Sequence, residues 1–146
     1  IYGGGAAGLM GALADAALAA NGEVIGVIPR ALFKRDLAHN GLSELIVVDD
    51  MPQRKAQMAA RAQAIIGLPG GLGTLEEMSE ALSWAQLDLH DKPICLLNVD
   101  GYFDALISFL RQAVIADFLQ PEYQALLRVF TEVDPLLASL RDGEII

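Results

Sequence analysis

The chain has 146 residues, 53% of them hydrophobic, which suffices to bury one sizeable core, so a single domain over residues 1–146 is expected. Nineteen Asp and Glu against ten Lys and Arg give a net charge of −9, which argues against nucleic acid or an anionic membrane as a partner and requires any bound phosphate to be held locally. The one cysteine, Cys95 in Ile94-Cys95-Leu96-Leu97, excludes an internal disulfide and fits a buried thiol in a reducing, cytoplasmic compartment, and charged residues break the apolar stretches well short of a membrane span.

The chain opens at Ile1-Tyr2-Gly3, which reads as the end of a strand, so an upstream segment carrying a first strand and its loop is expected to be missing. Gly3-Gly4-Gly5-Ala6-Ala7-Gly8 leads into an Ala- and Leu-rich helix over residues 9–20, ended by Asn21-Gly22. Gly3, Gly5 and Gly8 match the G-x-G-x-x-G spacing of a dinucleotide-binding turn. The next strand, 24–28, runs into Pro29-Arg30 where a ribose-binding acid belongs, which favours a tight turn with close helix packing over NAD. Residues 31–44 read as a polar connection, His39 included, and 44–48 as a strand. Asp49-Asp50-Met51-Pro52 opens a helix through Arg61, with Pro52 at its first position. Arg54 and Lys55 oppose the dipole of that helix; either salt bridges to Asp49 or Asp50 explain them, or they face an anionic ligand.

A second glycine turn, Leu68-Pro69-Gly70-Gly71-Leu72-Gly73-Thr74-Leu75-Glu76-Glu77, follows the apolar run 64–67 and precedes an amphipathic segment. Glycines without Cβ atoms, next to a helix N-terminus with unpaired N–H groups and partial positive charge, suit a phosphate. The competing reading is structural, with Thr74 and Glu77 as the two halves of a capping box. The helix is expected from Leu75 to about Leu89, with Leu75, Met78, Leu82 and Ala85 as its buried stripe, Trp84 in the core, and Glu77, Glu80 and Ser83 on one face. His90 to Pro93 turns into a strand over 94–99, where polar and apolar residues do not alternate because both of its faces are buried. Asp100-Gly101 starts a helix over 102–118, followed by a helix over 122–127 and a strand over 128–131. A last helix has Asp134 as N-cap and Pro135 at its first position.

Alternating strands and helices imply α/β architecture, a parallel sheet with helices on both faces, whose ligand sits outside the carboxyl ends of the strands. The loops beginning near residues 3, 49 and 68 belong on that edge. Tyr2-Gly3-Gly4-Gly5-x-x-Gly8-Leu9-Met10-Gly11, Arg54-Lys55-Ala56-x-Met58, Pro69-Gly70-Gly71-x-Gly73-Thr74-Leu75-Glu76-Glu77, Trp84-Ala85-Gln86-Leu87 and Asn98-Val99-Asp100-Gly101-Tyr102 together resemble the LOG (Lonely Guy) family. The resemblance implies a Rossmann-like open parallel sheet and a homodimeric phosphoribohydrolase that uses neither metal nor cofactor. Such an enzyme splits cytokinin riboside 5′-monophosphates into free base and ribose 5-phosphate. It puts the catalytic pair on Arg54 and Glu77. Substrate contacts fall on Lys55, on the turn residues Gly70, Gly71, Leu72, Gly73, Thr74, Leu75 and Glu76, on Ser83 where the family often has Thr, and on Asp36 where Glu is usual. Pro52 departs from the family's His. Members are often labelled lysine decarboxylases, but no motif here marks an aldimine lysine or a pyridinium partner. The alternatives are a carrier of molybdenum cofactor or nucleotide that performs no chemistry, and a general AMP nucleosidase.

Overall fold

All strand pairs among the described residues are parallel, as alternating strands and helices require. The computed structural model describes residues 1–33 and 37–141, and the chain divides into two compact units, Ile1–Ala62 and Gln63–Ile146.

The first unit runs α1 (Gly8–Ala19), β1 (Ile25–Pro29), α2 (Arg30–Phe33), β2 (Glu44–Val48) and α3 (Met51–Arg61). β1 pairs with β2 in the register Ile25 to Glu44 through Pro29 to Val48. Tyr2 adds to the other edge of β1, its N–H donating to the Ile25 carbonyl and its own carbonyl accepting from Val27 N–H, both at 2.9 Å. Val27, Ile28 and Val48 are buried, as is Ala14 of α1. α1 ends at the expected place: Asn21 adopts φ +59°, and the Asn21 and Gly22 N–H groups donate to Leu18 and Ala17 carbonyls at 2.9 and 2.8 Å. The segment read as a polar connection begins as the single helical turn α2. His39 is not a solvated bystander within it. Its Nδ1 accepts Gly41 N–H at 3.0 Å, which leaves the proton on Nε2 to bond Asp15 of α1 at 2.8 Å.

The second unit runs β3 (Ile65–Gly67), α4 (Leu72–Gln86), β4 (Ile94–Leu97), a 3₁₀ turn (Val99–Gly101), α5 (Asp104–Ile115), α6 (Pro121–Gln124), β5 (Leu127–Phe130) and α7 (Val133–Arg141). β4 lies between β3 and β5. Its side chains alternate between two cores: Ile94 and Leu96 pack with Met78, Ala81 and Phe103, whereas Cys95 and Leu97 pack with Leu136. That is the doubly buried strand the sequence implies. The stripe Leu75, Met78, Leu82 and Ala85 joins the first of these clusters.

Several expectations are corrected. Trp84 is only half-buried and outside both clusters, because it lies seven residues after Glu77 on the flank of α4 rather than on the Met78 and Ala81 stripe. α4 ends at Gln86 and α5 at Ile115, since Asp88 and Asp117 take left-handed φ of +56° and +60°. α5 starts at Asp104 because Asp100, φ +51°, breaks the helix before it. Asp134 and Pro135 are the second and third residues of α7. Proline is tolerated there because first-turn N–H groups have no intrahelical partner.

Candidate functional site

In the first unit α3 begins where β2 ends. Asp50 at the N-cap accepts Gln53 N–H at 2.8 Å, and the Gln53 side chain accepts Asp49 N–H at 3.2 Å. This reciprocal cap starts the helix one residue earlier than expected, at Met51, and makes Pro52 its second residue. Arg54 follows one turn in. Its Nε donates to the Val27 carbonyl of β1 at 3.2 Å, and its guanidinium lies against Gly3, so close that a Cβ there would overlap Nη2 and stand 3.0 Å from Cζ. A cation set against its helix dipole is thus anchored to a strand carbonyl and to the first glycine turn. Asp49 itself approaches Arg30 at 3.5 Å. Lys55, next along α3, is half-buried. Asp36 lies outside the described residues.

The first glycine turn is tightly held. Gly4 has φ +74°, a Cβ on Gly26 would stand 2.8 Å from its Cα, and the Tyr2 hydroxyl donates to the Gly5 carbonyl at 2.9 Å. Burial, and then the charge of Asp15, push the Tyr2 phenol above its ordinary pKa.

In the second unit the turn after β3 becomes α4 earlier than the sequence suggests. Gly71 is the N-cap, and Leu72, Gly73 and Thr74 are the first three helical residues. Thr74 and Glu77 therefore do not stand at the N-cap and third positions, and no capping box forms between them. The cap has no side chain, so the N–H groups of Leu72, Gly73 and Thr74 meet whatever lies beyond the helix end. Leu72 is 85% exposed, and a Cβ on Gly71 or Gly73 would meet nothing within 4 Å. Leu75 differs: its N–H donates to the Gly71 carbonyl at 3.1 Å and its side chain packs in the core, so it supports the turn. At Gly70 a Cβ would overlap the Thr74 hydroxyl. Glu76 is exposed and Glu77 half-buried, in the second turn of the helix.

Sequence reasoning missed what holds this turn. Tyr102, delivered by the loop after β4, donates its hydroxyl to the Gly70 carbonyl at 2.9 Å. The loop is built on buried Asn98, whose Oδ1 accepts Phe103 N–H at 2.7 Å and whose Nδ2 donates to Asp104 at 2.8 Å. The Tyr102 ring meets Phe103 edge to face at 4.9 Å. The motif Asn98-Val99-Asp100-Gly101-Tyr102 was the available signal, but no spacing rule couples it to a turn 32 residues away. Ser83 is oriented elsewhere. It lines a cavity of about 170 Å³ with Ser79, Gln86, Leu110, Leu119 and Tyr123, which neither Glu77 nor the glycine turn borders. Two steps of three residues rotate it about 120° from Glu77, which is why they do not share a face.

Among the described residues no cluster of three His, Cys, Asp or Glu is placed to hold a metal ion, and no helix is long and apolar enough to cross a membrane. The family model described as "Possible lysine decarboxylase" matches residues 10–140. A rice protein (Oryza sativa subsp. japonica), named as a probable cytokinin riboside 5′-monophosphate phosphoribohydrolase, is 46% identical over 140 residues, covering 96% of this chain and 56% of its own length. Two Arabidopsis thaliana proteins named as cytokinin riboside 5′-monophosphate phosphoribohydrolases are also similar. One is 44% identical over 142 residues, 97% of this chain and 67% of its own length. The other is 51% identical over 119 residues, 82% of this chain and 55% of its own length. The chain thus spans between half and two thirds of the length of these relatives.

Proposed function

Because the chain belongs to the LOG (Lonely Guy) family, we propose that the protein hydrolyses the N-glycosidic bond of N6-modified adenosine 5′-monophosphates, giving a free cytokinin base and ribose 5-phosphate. The observation that carries this reading is the glycine-capped start of α4. Three backbone N–H groups open from Leu72, Gly73 and Thr74 beyond a cap without a side chain, and Tyr102 fixes the preceding carbonyl. Such a helix start suits the 5′-phosphate.

The C1′–N9 bond breaks with its electron pair leaving on the base, which takes a proton, while water supplies hydroxide to C1′. Positive charge grows on the ribose ring and negative charge on the base. Glu77 stabilises the ring or polarises the water. Arg54 supplies a fixed planar cation for phosphate, ribose or departing base, a task Lys performs less well. In this reading Lys55, Gly70, Gly71, Glu76 and the Thr74 hydroxyl contact the phosphate and ribose, and Asp36 contacts the substrate further out. The enzyme acts as a cytoplasmic homodimer. Support for the dimer comes from Phe109, Ile115 and Phe118, on and just past α5, which are 63%, 82% and 89% exposed. Light scattering behind gel filtration should give twice the chain mass.

Incubation with AMP and with N6-isopentenyladenosine 5′-monophosphate tests the activity. Release of base from the modified nucleotide is expected. Release from AMP alone, or equal release from both, makes the protein a general AMP nucleosidase, and release from neither makes it a carrier.

A further inference from the structure

We propose that Gly3 is a positioning residue for Arg54: the first glycine turn seats the guanidinium, and the missing Cβ at position 3 sets where that cation stands. The inference rests on the role given to Arg54 above. It assigns a purpose to a glycine motif whose spacing suggests a dinucleotide and whose following strand lacks the acid to bind one.

The backbone does not demand glycine at position 3. The left-handed glycines of this turn are Gly4 and Gly8, at φ +74° and +59°, whereas Gly3 has no left-handed φ that would call for glycine. Its surroundings exclude a side chain instead. An added Cβ would overlap Arg54 Nη2, stand 3.0 Å from Cζ and 3.1 Å from Met10 Cε. The turn cannot move aside, because Tyr2 pairs with β1 on both its N–H and carbonyl, its hydroxyl holds Gly5, and Gly4 abuts Gly26. The guanidinium is the far end of a flexible chain and is what yields. Moving it strains the 3.2 Å bond from Nε to the Val27 carbonyl. Displacing a charged group by about 1 Å from its working position costs on the order of 10²-fold in rate.

The test is a cycle of parent, Gly3→Ala, Arg54→Ala and the double variant, followed by base release from N6-isopentenyladenosine 5′-monophosphate and by thermal melting. Gly3→Ala is expected to melt near the parent, to lose at least about 10-fold in kcat with a smaller change in KM, and to add nothing in the Arg54→Ala background. Parental turnover in Gly3→Ala, or losses that multiply in the double variant, would overturn the proposal. Should Gly3→Ala fail to fold, a folded double variant supports the seat, because removing the guanidinium relieved the overlap, and an unfolded one refutes it. A parent that releases no base from either nucleotide removes the hydrolase reading. The seat is then judged on crystal structures of the parent and Gly3→Ala, where a guanidinium moved off its place beside residue 3 and the Val27 carbonyl supports it and an unmoved one refutes it.

Discussion

Glu77 stands in the second turn of α4, and the glycine cap at Gly71 removes the capping role that its spacing from Thr74 suggested. A carboxylate with no part in starting the helix can be altered without unravelling it. Glu77→Gln keeps the shape and removes the charge, so kcat should fall by about 10²–10³ while the fold, followed by circular dichroism, stays intact. Turnover at the parental rate would reduce Glu77 to a structural residue. Tyr102 acts one step further back. Its hydroxyl pins the Gly70 carbonyl, and because carbonyl and N–H of a trans peptide point oppositely, it also aims the Gly71 N–H. Tyr102 is 57% exposed, so Tyr102→Phe should leave stability nearly unchanged. Losing one hydrogen bond from the phosphate-holding turn should raise KM for the nucleotide by about 2–10-fold. Cleavage of the nucleoside without its phosphate, where measurable, should not change. Neither Tyr102 nor the contact of Arg54 with Gly3 was legible in the sequence, because each joins residues far apart in the chain and no local period encodes such a contact.

At the scale of the element, legibility followed the strength of the local signal. β4 was readable because an interior parallel strand must be apolar at every position, and the stripe of α4 because burial selects every third or fourth residue. The start of α4 was misread because a glycine cap has no side-chain signature, while Thr74 and Glu77 imitate one three residues later. The ends of α4 and α5 were misread for a related reason: Asp88 and Asp117, not glycines, take the left-handed positions. There the N–H groups of Asp117 and Phe118 donate to the Val114 and Ala113 carbonyls at 3.1 and 2.9 Å. An aspartate in that place carries backbone strain and sets negative charge at the negative end of the dipole. Asp117→Gly should therefore stabilise the protein by about 0.5–1 kcal/mol, as a shift in the urea midpoint without a change in slope. The opposite result is expected at the start of α3. Asp50→Ala removes the acceptor for Gln53 N–H and should cost about 1 kcal/mol.

Across the whole molecule, burial makes a group in each compact unit resist ionisation. In the second unit Cys95 has no exposed surface, and burial pushes its thiol above the ordinary value although Arg128 pulls the other way. In the first unit Tyr2 is raised by burial and then by Asp15. For both, the neutral form is the protonated one, so the unfolded chain gives up its proton at a lower pH than the folded chain. Between the two values the unfolded state binds fewer protons, and stability must fall as pH rises. The contribution is complete below about pH 8.5 for the thiol and about pH 10 for the phenol, and is lost on the alkaline side of each. Urea midpoints measured from pH 7 to 11 should hold level with respect to these groups and then decline. Cys95→Ala combined with Tyr2→Phe should start from a lower midpoint, because the first substitution leaves a small void and the second removes the hydroxyl bond to Gly5. Its alkaline decline should nevertheless be shallower than the parent's. A decline of equal steepness in both proteins would mean that the alkaline loss comes from other groups and that burial of Cys95 and Tyr2 has no linkage to folding.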